Sequence, residues 1–184
     1  MDLRRRVRRA ATVCAAALAW VTAAGAAAPV RALDVDGRAV QLAAPAMRVV
    51  SLAPHLTELM FAIGAGDRVV GTVEYADFPE AARRVPRVGD SALLDLERIV
   101  ALRPDLVLVW RHGNSAQQLQ RLAALHLPTY ASEARTLADI ARTMRDLGAL
   151  VGAPEGAESR ARRFEAAVSD LRARYGGRPR LTVV

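Results

Sequence analysis

The chain has 184 residues, room for one ordinary domain and part of a second. A hydrophobic content of 52% excludes a disordered chain, and a single Cys excludes a disulfide framework or a cysteine-rich zinc module. The formal charge of +7 is concentrated at the start: residues 1–32 hold six Arg and one Asp, whereas the remainder sets 20 basic residues against 18 acidic ones. In that remainder Arg83, Arg84 and Arg87, and Arg160, Arg162 and Arg163, are interleaved with acids as on solvated helix faces, so no nucleic-acid partner is expected.

The Arg-rich start is followed by an apolar stretch from Ala10 to about Ala24 and then by small residues, Gly25 to Ala28 and Val30-Arg31-Ala32. This is the order of a secretory signal, assigned to residues 1–32, with an uncleaved membrane anchor as the alternative. Cys14 lies inside it and would be lost on cleavage.

Residues 34–42 alternate apolar and polar around Asp36-Gly37, a hairpin signal. RVVSL (48–52) predicts a strand, and LTELMFAIG, stopping at Gly64, predicts a helix. RVVGTV (68–73) is a second strand. LERIVAL (96–102) is a short helix with Asp95 as N-cap, and DLVLVW (105–110) has the near-continuous apolar character of a strand covered on both faces. Helices over 115–125 and 136–151 flank a strand at 127–131. From Pro154 to Tyr175 the apolar residues Ala157, Ala161, Phe164, Val168, Leu171 and Tyr175 recur at steps of three and four, a single helical stripe. Gly176-Gly177 ends it, and RLTVV reads as a further strand.

The alternation of strands and helices predicts an α/β fold, a Rossmann-like parallel sheet with helices on both faces. Ligands of such sheets lie beyond the carboxyl ends of the strands. Pro54 and His55 fall there, as do Glu74 and Tyr75, Trp110, Arg111 and His112, and Ser132 and Glu133.

The strings RVVSLAPHLTELMFAIGAGDRVVG, EYADFP and LDLERIVALRPDLVLVWRHGN resemble the N-terminal lobe of periplasmic substrate-binding proteins that serve ABC importers of metal chelates. LERIVALRPDLVL is common to that family, including its haem and ferric-siderophore binders. The combination of Tyr75 in EYADFP with Trp110 in VWRHGN resembles its cobalamin branch. The resemblance implies two α/β lobes joined by a long helix. Residues 33–152 would form the N-terminal lobe, 153–177 the backbone helix, and 178–184 the start of a second lobe that is cut short.

The resemblance further implies a non-enzymatic, monomeric, periplasmic protein that captures cobalamin or a related corrinoid and delivers it to an inner-membrane permease, with no cofactor of its own. Tyr75 and Trp110 would cover the flat ligand by burial and stacking. Pro54 and His55 would supply close contacts, and Arg111, Gly113 and Asn114 would meet edge amides or a nucleotide tail. Ser91 stands where the family often has a further Trp, leaving room for a related chelate such as haem or a ferric siderophore. Glu97 would dock onto Arg residues of the permease. Without the resemblance, Glu97 reads as an acid favoured in the first turn of a helix.

The spacings of His55, His112 and His126 match no zinc pattern, although His55 or His112 could approach the metal of a bound chelate. An exported α/β hydrolase is the alternative of another class, but neither Ser51 nor Ser91 carries a signature that ties it to a base.

Overall fold

The computed structural model describes residues 28–90 and 93–178. Four strands form a parallel sheet: β3 (Val49–Ser51), β4 (Val69–Thr72), β5 (Leu106–Trp110) and β6 (Thr129–Ser132), in the order β4-β3-β5-β6. Their side chains alternate between two cores, as a pleated strand requires. Val49, Leu106 and Leu108 belong to one face, and Val50, Val107 and Val109 to the other. Leu106 and Leu108 are fully buried, each contributing about 1.5–3 kcal/mol relative to exposure.

The first face is covered by α1 (Pro54–Ala62), α4 (Leu137–Leu150) and the start of α5 (Pro154–Tyr175). The second is covered by α2 (Leu96–Ala101) and α3 (Ala116–Ala124), through Ile99 and Leu122. Local chemistry sets the helix ends. Pro54 opens α1, where its missing N–H costs nothing, and Gly64, at φ +82°, turns the chain out of it. Asp95 caps α2 by accepting from the Arg98 amide, and Ser115 and Thr136 form capping boxes with Gln118 and Asp139.

The hairpin differs from the sequence expectation. Its strands are β1 (Val30–Leu33) and β2 (Ala39–Leu42), so 34–38 form the connection. The reason is Asp34, whose Oδ1 accepts from the amides of Asp36 and Arg38 and closes a turn where a strand was expected. The hairpin packs on α4, and the Val35 amide donates to the Ala131 carbonyl, covering the free edge of β6. The expected signal boundary at residue 32 thus falls inside β1, where Ala32 is already buried in the core.

The apolar stripe of α5 divides in two. Ala157 and Ala161 are buried against α4, which approaches closely because a Cβ on Gly148 would collide with that of Ala157. Arg145 of α4 also holds Glu158 and Glu165 of α5, at 2.6 and 2.7 Å. Farther along, Leu171 and Tyr175 are exposed. Among the described residues no helix is long and apolar enough to cross a membrane. The signal segment up to residue 27 and the whole RLTVV stretch lie outside the described residues, as does Ser91.

Candidate functional site

The chain runs from β3 outward to β4 on one side and then returns to β5 on the other side of β3. The carboxyl ends of β3 and β5 therefore flank the point where the winding reverses, the place where open α/β sheets leave a crevice for ligands. His55 follows β3 and Trp110 ends β5, and both side chains reach this point. Their rings meet edge to face, with centroids 5.3 Å apart and planes at 84°.

A hydroxyl network fixes the turn that carries His55. Thr57 Oγ1 donates to Ser51 Oγ at 2.9 Å and lies 2.7 Å from Thr72 Oγ1, and Ser51 Oγ donates to the Ala53 carbonyl at 3.1 Å. All three side chains are fully buried. They tie the ends of β3 and β4 to the first turn of α1, and Ser51 is a strut in that tie.

A second device holds Trp110, which is 40% exposed. The Asn114 side chain accepts from the Trp110 amide at 2.8 Å through Oδ1 and donates to the Leu52 carbonyl at 3.3 Å through Nδ2. Asn114 is only 5% exposed, and through these two bonds it braces the end of β5 to the residue after β3. Gly113 is likewise a support. A Cβ there would fall inside the indole of Trp110, so only glycine lets the ring fold back over the turn. Arg111 Nε lies 3.0 Å from the Asp36 carboxylate, which ties it to the hairpin turn.

Beside the His55–Trp110 pair lies a cleft of about 370 Å³, lined also by Glu58 and Leu59 of α1, by Ser132 at the end of β6 with Glu133 and Ala134 after it, and by Ile140 and Thr143 of α4. Burial lowers the pKa of His55, against the opposing charge of Glu133, so the imidazole is neutral near pH 7. The Glu133 side chain is 16% exposed, and its Oε2 is buried without a hydrogen-bond donor. His112 Nδ1 stands 3.1 Å from that oxygen, an ion pair whenever the imidazole carries a proton. Burial works to raise the Glu133 carboxyl, but His112 and Arg135 outweigh it and hold it below the ordinary carboxylate range.

The structure thus brings His55 and Trp110 of the expected set into one cleft. Tyr75 follows β4 on the same rim, beyond β3, and does not line this cleft. It is 82% exposed and sits at φ +65°, a backbone region that a bulky side chain occupies at a cost. Glu97 is exposed in the first turn of α2. Glu58 reads from the sequence only as a residue of the first turn of its helix, and Thr143 carries no expectation there at all. The signal available for Thr143 was a polar residue in the buried part of α4. Among the described residues no three His, Cys, Asp or Glu converge to hold a metal ion.

Residues 49–184 match the periplasmic binding protein family. A vitamin B12-binding protein of Vibrio vulnificus (strain YJ016) is 37% identical over 138 residues, 75% of this chain and 50% of that protein. The crystal structure of the periplasmic vitamin B12 binding protein BtuF of Vibrio cholerae superposes with a TM-score of 0.69 at 37% identity, covering 72% of this chain and 52% of that one. The heme binding protein HmuT superposes with a TM-score of 0.66 at 28% identity, covering 83% of this chain and 50% of that one. The chain spans about half the length of the curated relatives it matches. Its sheet order, the site at the winding reversal and these similarities lead to one conclusion: the chain belongs to the periplasmic binding protein family.

Proposed function

We propose that this chain supplies the N-terminal wall of a cleft that captures cobalamin or a related corrinoid in the periplasm for delivery to an ABC permease. The observation that carries the reading is the edge-to-face pair of His55 and Trp110 at the winding reversal, opening on a cleft of about 370 Å³. A corrin is broad and apolar on its faces, and an exposed, braced indole offers it a matching surface. Similarity to vitamin B12-binding proteins supports the same ligand class.

In this reading residues 33–152 form the ligand-binding lobe, α5 is the backbone helix, and 178–184 begin a second lobe. Tyr75 extends the ligand wall along the rim, with Pro54 at the base of the turn, and Ser91 is a further ligand contact. Export removes the leading segment within the small-residue run Ala26–Ala28, ahead of β1, and the mature protein works as a monomer. Glu97 docks onto the permease. Its exposure fits that role, and Glu97→Gln is expected to leave corrinoid affinity intact while reducing uptake in cells.

Haem is the second reading, favoured by the similarity to HmuT. Calorimetric titration with cobalamin, cobinamide and haemin separates the two. Binding of the corrinoids alone, or with much higher affinity than haemin, supports the proposal. Tighter binding of haemin overturns it.

A further inference from the structure

The cleft beside Trp110 is lined by acidic side chains and by no arginine. Two of its lining residues are carboxylates, Glu58 and Glu133, and none is an Arg, although the chain contains 26 basic residues. No arginine lines the cleft itself: Arg135 acts on Glu133 only through its charge, and two others of the neighbourhood are engaged elsewhere. Arg111 is paired with Asp36, and Arg142 with Asp139. The two carboxylates differ in setting. Glu58 is exposed on α1, whereas Glu133 keeps one oxygen buried, with His112 Nδ1 3.1 Å away as its nearest basic neighbour. A charge held in such surroundings is weakly screened, so its field extends into the cleft. The influence of Glu133 on His55 is one sign of that reach.

Metal chelates of one shape differ chiefly at their rims. A corrinoid such as cobinamide carries neutral amides there, whereas haem and the carboxylate forms of the corrin ring carry anions. We propose that Glu58 and Glu133 act as a charge filter, selecting chelates with an amide rim and rejecting those with a carboxylate rim. Rejection comes from like charges brought together in a desolvated cleft, and acceptance from amide N–H groups that can donate to carboxylate oxygens. The inference rests on the corrinoid reading above and assigns to it a device for specificity. Two like charges about 8 Å apart at an effective dielectric near 20 repel by roughly 2 kcal/mol, enough for a discrimination of about tenfold or more.

The test compares dicyanocobinamide with cobyrinic acid, the same chelate with carboxylates at its rim. Each is titrated into the full chain and followed by its visible spectrum and by quenching of tryptophan fluorescence. The wild-type chain should favour cobinamide by about tenfold or more, and Glu58→Gln with Glu133→Gln should shrink that ratio severalfold, mainly through tighter binding of the acid. The single variants should each produce part of the change. Circular dichroism checks folding. Should the double variant fail to fold, the wild-type preference itself must weaken as salt is raised. Equal affinity for the two rims, or an unaltered ratio in the folded variants, overturns the filter and leaves corrinoid binding standing. Failure of the wild-type chain to bind either corrinoid overturns the corrinoid reading, and the filter with it.

Discussion

The imidazole of His55 meets the indole of Trp110 edge to face, at a centroid separation of 5.3 Å. The two residues come from different strand ends, 55 residues apart in sequence, and they touch because β3 and β5 are neighbours in the sheet. Each is held from behind, His55 by the Ser51–Thr57–Thr72 hydroxyls and Trp110 by Asn114 and Gly113. Such a pair presents a preformed surface, so little ordering remains to oppose ligand binding.

Gly113→Ala should act on the ligand as Trp110→Ala does, although it removes no contact surface. The added methyl displaces the indole. Both variants are expected to weaken corrinoid binding by about 1–3 kcal/mol, the scale of a lost stacked aromatic. In protein shortened to begin at Val30, Trp110 is the only Trp, so its emission reports the displacement directly. Unchanged emission and affinity in Gly113→Ala would count against the close packing of ring and turn.

Asn114→Ala should cost stability first and affinity second. It leaves the Trp110 amide and the Leu52 carbonyl without their partner in a buried setting, a loss of about 1–3 kcal/mol. Asn114→Asp keeps the acceptor for Trp110 but sets a buried carboxylate oxygen against the Leu52 carbonyl, so at neutral pH it should be at least as destabilising as Asn114→Ala. Urea denaturation orders the three proteins. Wild-type stability in Asn114→Ala would show that the brace is dispensable.

Tyr75 holds a φ of +65°, where a side chain is disfavoured by roughly 1–2 kcal/mol and glycine is not. With the ring 82% exposed, Tyr75→Gly removes little packing. Its stability should equal that of the wild type or exceed it by up to about 1 kcal/mol, after allowance for the greater freedom of glycine in the unfolded chain. Corrinoid affinity should fall. A destabilised Tyr75→Gly protein would mean that the ring packs more than its exposure indicates.

Acid should loosen α5 from α4 before it unfolds the sheet. Hydrogen bonds from Arg145 and Arg162 hold the Glu158 carboxyl at about 2, below its ordinary 4.5, against a smaller opposing effect of burial. A lowered carboxyl pKa stabilises the fold above the unfolded value, and that contribution is lost as pH falls from 4.5 toward 2. Glu165 is shifted the same way by Arg145 and acts in the same sense. Denaturation midpoints at the two ends of that window should differ less in Glu158→Gln than in the wild type. An identical pH dependence in both would remove Glu158 from the account.

Strand and helix periodicity, the Asp95 cap and the stripe of α5 are local properties, and short-range sterics and hydrogen bonding express them in the sequence itself. The parallel sheet followed from their alternation, and so did the list of residues on its rim. Tertiary contact decided what is not local. Val30-Arg31-Ala32 reads as the end of a signal because it follows the small-residue run, and only pairing with Ala39–Leu42 and packing on α4 make it a strand. Asn114 reads as a ligand-facing amide, and only the distances to Trp110 and Leu52 reveal a brace. Glu133 was visible as a rim residue, but its covered oxygen and its place beside His55 and Glu58 depend on how β6, α1 and α4 pack. A residue type states what chemistry is possible at a position, whereas burial and neighbours select which part of it is used.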